Sequence, residues 1–499
     1  MIKTSIKKVI FLILAFLSFF ILSAFTNRNS DNNKNKISSE TEMCIECHKI
    51  YTPGIVTSWE QSRHSKTTPS EGLQKQKLER RISNDNIEEN LLNNIVGCYE
   101  CHSLNKNNHK DNFEHNGFDI NVIVSPEDCK TCHLNEVNEY NISKKSYAYH
   151  NLESNPIYSL LVNTIISNKT FKNDIIENTK PSDETRSVTC FGCHGLEIVV
   201  NGSKKIETKL GDMEIPNLKN WPNQGVGRIN PDGSRGSCTA CHPRHSFSIE
   251  IARKPYTCAQ CHLEPDVPAW EVYKESKHGN IFSSNESKYN WDSVPIKAGV
   301  DFPTPTCAYC HNSLIVNNEN EIIANRSHDF GARLWVRIFG LIYTHPQPKT
   351  GKTFEIINKD KLPLPATFNN EIAKEYLIDS LEINKRKELM ASICNNCHSS
   401  SWTKNHFAKF DITNYETDNL IKTSTKLMQK IWDKKIQNNK NPFDETIEQE
   451  WIKGWLFYAN SIRYSVAMTG SYDYASFKNG WWNLTNNIGL LKEKLELKK

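Results

Sequence analysis

The chain has 499 residues, of which 37% are hydrophobic and 24% charged, with a formal net charge of +4 and a mean hydropathy of −0.59. Length alone allows several core units, yet the hydrophobic content is low for a large apolar core. A charge this close to balance gives no reason to expect a nucleic-acid partner. At the start, Lys3, Lys7 and Lys8 precede an apolar run over 9–22 and then Ser23-Ala24-Phe25. That order marks a secretion signal. The run is short for a membrane span of about 20 residues. An uncleaved anchor reaching Phe25 is the alternative, because the cleavage site is not a clean A-x-A. We assign 1–25 to a signal peptide with a periplasmic destination, and the Asn/Lys/Ser-rich stretch 26–40 to a polar linker.

All 16 cysteines then fall into eight C-x-x-C-H motifs. In order these are Cys44/Cys47/His48, Cys98/Cys101/His102, Cys129/Cys132/His133, Cys190/Cys193/His194, Cys238/Cys241/His242, Cys258/Cys261/His262, Cys307/Cys310/His311 and Cys394/Cys397/His398. C-x-x-C-H is the signature of covalent haem c attachment. The two thiols bond the porphyrin vinyl groups and the histidine gives iron its proximal nitrogen. Zinc needs four ligands and does not demand a histidine after every second cysteine. A redox dithiol is usually single, and iron–sulfur clusters need three or four cysteines together. Histidine makes up 17 of 499 residues, so its presence after every pair is not chance. Eight motifs imply eight covalently bound c-type haems. Their apolar faces make up for the polar composition, and such a chain should collapse without them. Their propionates and ferric irons bring the holoprotein to a charge of about −4. The basic residues then have propionates to pair with.

The fifth and sixth motifs begin twenty residues apart, at Cys238 and Cys258. That spacing leaves room for loops and short helices and none for a sheet. The stretch 220–235, rich in Gly, Pro and Asn, is expected as ordered loop packed over haem. We place a multihaem domain with motifs 1–7 at 41–370. Motif 8 and a helical region occupy 371–499. In that region, 419–435 sets Leu420, Ile421, Ser424, Leu427, Met428, Ile431 and Trp432 on one helical face. The stretch 444–468 does the same with Trp451, Trp455, Tyr458, Ile462 and Val466. Such stripes are ordinarily bundle core. The fold class expected is mainly α: a multihaem cytochrome c fold with much irregular loop, a haem-organised core and a C-terminal helical bundle.

Nine histidines lie outside the motifs: His64, His109, His115, His150, His245, His278, His328, His345 and His406. A haem with two imidazoles is saturated and carries electrons, whereas an open one does chemistry. Histidine is the commonest metal ligand, so most of the nine are expected to be ligands. If one haem is open, seven distal imidazoles are needed and two histidines are left. His109, in a polar stretch, is the weakest ligand candidate.

The stretch 225–282, GVGRINPDGSRGSCTACHPRHSFSIEIARKPYTCAQCHLEPDVPAWEVYKESKHGNIF, resembles octahaem cytochromes of the hydroxylamine oxidoreductase family. So do SWEQSRHSK around His64, HNGFDINVIVSPEDCKTCH around His115 and CHG at His194. RSHDFGARLW around His328, LIYTHPQP around His345 and CNNCHSSSWTKNHFAKFD around His406 match as well. The resemblance spans about 43–485. It implies a mostly helical homotrimer with one five-coordinate catalytic haem on Cys190, Cys193 and His194, fed by seven bis-His haems. It gives His64, His115, His150, His245, His278, His328 and His406 as distal ligands. It also implies a small nitrogen-compound substrate and a redox partner that is a cytochrome or a quinol-linked cytochrome.

The family lines its catalytic pocket with an Asp of a Pro-Asp-His segment, a His and a Tyr. Here the segment is Pro265-Asp266-Val267, so Asp266 is kept and the neighbouring His is absent. Tyr343 and His345 are expected in the same pocket. A carboxylate and an imidazole there would shuttle protons, although an Asp after Pro is also a plain loop cap. In oxidising members a tyrosine from the neighbouring subunit is bonded to the catalytic haem, and reducing members lack it. The region 463–487 holds Tyr464, Tyr472 and Tyr474, with Trp481-Trp482-Asn483 where a link would lie. This inclines the reading from hydroxylamine oxidation toward nitrite reduction. Two other readings stand: an electron conduit with every haem six-coordinate, and an octahaem reductase of sulfur oxyanions. The last is lowered because every motif here ends in His.

Overall fold

The computed structural model describes residues 36–208, 211–340, 342–434 and 441–497. The signal expected over 1–25 and most of the linker expected over 26–40 lie outside the described residues. The described chain is mainly helical. Short helices alternate with long loops until the C-terminal fifth, where the helices lengthen. Among the described residues there are four two-stranded sheets and one of three strands. None links distant parts of the chain into a layer.

The C-terminal helices form the largest apolar cluster among the described residues. The helix Ser400–Asp433 starts at Ser399, whose side chain accepts from the Trp402 N–H, a standard cap. Its buried face carries Ile421, Ser424, Met428 and Ile431, the stripe expected from the sequence. The second expected helix runs from Thr446 to Ala467 and is interrupted by a π turn over Gly454–Tyr458. Trp451, Trp455 and Ile462 pack from it onto the first helix, and Leu484 and Leu491 of Trp481–Glu496 complete the cluster. Elsewhere the core is aromatic. Tyr289 stacks on Trp291 with centroids 4.6 Å apart, and Phe302 meets Tyr309 at 4.4 Å.

Two exposed hairpins lie outside the expected elements, Asn168–Lys172 with Ile175–Thr179 and Val199–Thr208 with Gly211–Lys219. The first turns through Asn173 and Asp174, both at positive φ. That is the backbone of a tight hairpin, and Asn and Asp tolerate it.

One buried ion pair ties the bundle to the loop before the Val336–Arg337/His345–Pro346 ribbon's second strand. Arg463 donates to Asp418 at 2.6 Å and to the Ile342 carbonyl at 3.1 Å. Asp418 also accepts from the Thr344 hydroxyl at 2.6 Å. The two side chains are 0% and 8% exposed. Removing one partner of such a pair leaves a buried charge. We expect Asp418→Ala to cost about 3–5 kcal/mol, read as a lowered thermal midpoint of the holoprotein. Lys387→Ala breaks an exposed pair with Asp411 and should leave the midpoint nearly unchanged.

Candidate haem centres and the pocket at the fourth motif

The motifs fold into single helical turns. Cys98–His102, Cys190–His194 and Cys307–His311 are one-turn helices. In the third, fifth, sixth and eighth motifs the His N–H bonds the carbonyl of the first Cys at 2.9–3.0 Å. A helical turn places residues i, i+3 and i+4 on one side, so both thiols and the imidazole face the same way.

The histidines outside the motifs come to meet these imidazoles. His48 faces His115 with ring centroids 6.3 Å apart, His64 faces His133 at 6.2 Å, and His278 faces His398 at 6.1 Å. Two metal–imidazole bonds of about 2 Å each put facing ring centroids about 6 Å apart. His245 is held down at about 4, first by burial and then by its neighbour His102. His328 is held at about 4 by burial and then by His242. Burial likewise pushes His64 and His311 to about 4 and His262 to about 3. These imidazoles are neutral, the state that binds metal. A cavity of about 900 Å³ surrounds the first pair and is lined by Cys47, His48, His115 and residues of the Val199–Lys219 hairpin, Met213 among them. That is ample for a porphyrin-sized ligand. Among the described residues no three of His, Cys, Asp and Glu converge on a bare metal ion. The donor set fits c-type haem.

His150 and His406 are placed differently. His150 packs between Tyr149 and Phe354, and His406 stacks on Trp402, which itself stacks on His398 at 4.0 Å. His109 serves the fold. Its side chain is wholly buried, with Nδ1 3.1 Å from Asp111 and Nε2 3.1 Å from Asp128.

The thiols reveal an order in space that the sequence does not state. Cys44 neighbours Cys98, Cys129 neighbours Cys238, Cys193 neighbours Cys261 and Cys258 neighbours Cys307. Charge contacts add Cys101 with Cys132, Cys241 with Cys258, and Cys310 with Cys394. The motifs therefore run 1–2–3–5–6–7–8 as one series, and the fourth branches off the sixth.

At that branch the chain packs closely. Gly195 follows the motif at φ +91, and a Cβ there would lie 2.2 Å from the Arg228 nitrogen. His194 Nδ1–H donates to the Ala148 carbonyl at 3.3 Å, which fixes the ring as proximal imidazoles are usually fixed. Burial lowers the His194 pKa, and Asp266 opposes this. Burial raises the carboxyl of Asp266 against the pull of His194. These two predicted residues are brought together. Tyr343 is engaged elsewhere: it is buried in the bundle core and its hydroxyl donates to the Phe368 carbonyl at 2.7 Å. The tyrosine that feels Asp266 is Tyr464, buried with Val267 and Phe339. His345 is 2% exposed. Its Nδ1–H donates to the Pro346 carbonyl at 2.6 Å and its Nε2 has no hydrogen-bond partner. Arg337, absent from the residues expected at this pocket, neighbours His194, His345 and Tyr464. Its signal in the sequence is a lone cation in the apolar run LWVRIFG.

Two family models match the chain: "Seven times multi-haem cytochrome CxxCH" over 230–327, and "Cytochrome c554 and c-prime" over 43–120. A solved structure titled "Hypothetical multiheme protein" is 42% identical with a TM-score of 0.88, covering 93% of this chain and 96% of that one. The chain is also 24% identical, over 420 residues, to a "Probable nitrite reductase-hydroxylamine oxidoreductase fusion protein" of Kuenenia stuttgartiensis. That match covers 78% of this chain and 38% of the relative's length. The fold is shared with the Kuenenia stuttgartiensis reducing HAO-like protein complex, at TM-score 0.57 and 18% identity, over 92% of this chain and 84% of that one.

The Asp111–His109–Asp128 triad makes a pH prediction. Burial disfavours charge on His109, but the hydrogen bonds to Asp111 and Asp128 overrule it and raise its pKa to about 10. A raised folded pKa gives stability that is full below the unfolded value of about 6.5. That stability is lost as pH rises toward about 10. Thermal midpoints of the holoprotein and His109→Gln should differ most below pH 6.5 and converge toward pH 10.

Proposed function

The chain belongs to the multihaem c-type cytochromes, and from that premise we propose that it is a periplasmic oxidoreductase of small nitrogen compounds working at its fourth motif. It carries eight c-type haems, one open and seven with two imidazoles. The open one is held by Cys190, Cys193 and His194. The observation that carries this reading is the carboxylate of Asp266 within electrostatic reach of His194, at an exposed position yet with its carboxyl raised by partial desolvation. The ligand ledger supports it. Motifs 1, 3 and 8 have a ring-to-ring imidazole partner from outside the motifs and motifs 2 and 5 an electrostatic one. Motifs 4, 6 and 7 have neither among the described residues, and His150 and His406 are the expected distal ligands still unassigned. Two ligands for three motifs leave one open.

Haem supplies one-electron chemistry at iron and, where an axial position is open, a place for a nitrogen oxide to bind. The chain's own part is protonic and electrostatic. Reduction of nitrite consumes more protons than electrons, because each oxygen removed leaves as water. Asp266, with its carboxyl raised by burial, holds a proton at higher pH than a free Asp and can deliver it. Tyr464 can relay to Asp266. Val267, Phe339 and the ring of Tyr464 form an apolar wall next to it. The absent second imidazole of the Pro-Asp-Val segment, with Trp481-Trp482-Asn483 where a tyrosine link would lie, favours reduction of nitrite over oxidation of hydroxylamine. A homotrimer with a cytochrome or quinol-linked donor completes the proposal.

The spectrum of purified holoprotein tests it. We expect a minority high-spin signal beside low-spin c-type bands, with no separate band from a tyrosine-bonded haem. A wholly low-spin spectrum would leave a conduit, with His345 Nε2 as the extra ligand. Asp266→Asn should lower the nitrite-reduction kcat by about 10²–10⁴-fold, the usual worth of a positioned acid. Wild-type activity should fall as pH rises through the raised pKa of Asp266, and the Asn variant should lack that limb.

A further inference from the structure

The fully buried arginines of this chain have partners. Arg228 bonds Asn230 and the Asn223 carbonyl, and Arg253 bonds the carbonyls of Trp291 and Ser293. Arg333 bonds four carbonyls, Arg186 bonds Glu153 and Arg463 bonds Asp418. Arg337 is different. It is only half-buried, and its Nε, like that of Arg186, is shut off from solvent without a hydrogen-bond partner. Among the described residues its side chain makes no ion pair, and the Phe339 ring lies 5.8 Å from the guanidinium carbon. A half-buried guanidinium with neither a counter-charge nor a hydrogen-bond partner leaves its two-nitrogen edge free for an anion.

The surroundings say where that anion sits. Arg337 is the register partner of His345 across the short ribbon Val336–Arg337/His345–Pro346. His345 presents only a lone pair, because its proton is committed to the Pro346 carbonyl. The cation facing the pocket is therefore that of Arg337. The groups that answer to it are the hydroxyls of Tyr158 and Tyr464, with no carboxylate among them. Lys144 stands nearby, pushed down to about 8 by burial and then by Arg337. Both Arg337 and Lys145 reach His194 electrostatically. The field at the fourth motif is positive on this side.

We propose that Arg337 is the anion-binding residue of the fourth-motif pocket, taking the two-oxygen edge of a planar oxyacid on its guanidinium fork. That fork matches such an edge with two parallel hydrogen bonds. Two sources offer it: nitrite as substrate, and a propionate of the haem held at this motif. The first source rests on the nitrogen-oxide reading above; the second does not.

Holoproteins with Arg337→Gln and Arg337→Lys separate the sources. Nitrite and hydroxylamine are titrated into oxidised protein by optical spectroscopy, and midpoint potentials are followed spectroelectrochemically. Haem content per chain establishes that each variant is loaded, and the Lys variant serves if Gln does not fold. For nitrite, Arg337→Gln weakens binding by about 10- to 100-fold, the worth of a hydrogen bond to a charged group. Arg337→Lys falls between, and hydroxylamine, which is neutral, is unaffected. For a propionate, nitrite affinity stays put and one centre's midpoint potential falls in Arg337→Gln. Fully loaded variants with both affinity and potentials unchanged overturn the proposal. Wild-type protein that binds neither nitrogen compound defeats the functional reading instead, and the potential alone then decides the propionate arm.

Discussion

The governing constraint is a single helical turn that must hold two thiols and an imidazole on one side. Once the turn is bonded to a rigid disc, the disc takes over the work that side chains do in other cores. This is why a chain only 37% hydrophobic can be compact, and why so many of its helices are one turn long. The intervening loops are fastened by buried arginines bonded to carbonyls. Arg333 alone gathers the carbonyls of Tyr309, Cys310, Ser313 and Asn325. Such staples satisfy backbone groups that no sheet or long helix satisfies. Only past the last motif, where no disc is available, does the chain revert to long amphipathic helices.

The legibility of the sequence follows the same division. The motifs and the helical stripes could be read because each is a local pattern of fixed period. Ile421, Met428 and Ile431 are buried as the stripe required. The exposed hairpins went unread. Their strands bury almost nothing, so alternation was weak, although Asn173-Asp174 was a turn signal. The spatial order of the motifs was illegible in principle, since contacts such as Cys193 with Cys261 join residues far apart in the chain. Tyr343 stood two residues before His345 in the sequence, yet it precedes the short strand and its ring is packed in the bundle, where its hydroxyl meets the Phe368 carbonyl. Tyr464 reached Asp266 from a helix instead. His109 was legible only as a weak ligand; its two aspartates decided its use.

The fourth-motif pocket is held by elements from both regimes. His194 and Asp266 come from the loop-rich part, while Tyr464 comes from the bundle. The His345 loop is tied to that bundle through Thr344, Asp418 and Arg463. The pocket's geometry therefore depends on a conventional apolar core standing next to a haem-built one.

The fourth motif is a spur and not a station on the line. On the proposed function, traffic between the first and the eighth motif need never enter it, so an inhibitor lodged there would stop turnover while leaving the through route open. On that same function, the electrons used at the pocket would cross one junction, at the sixth motif, where the cysteines of the fifth, fourth and seventh motifs meet it. A reaction that takes several electrons can then draw on charge already waiting on either side of that junction. The bottleneck is a single gap, and its two thiols, Cys193 and Cys261, are neighbours.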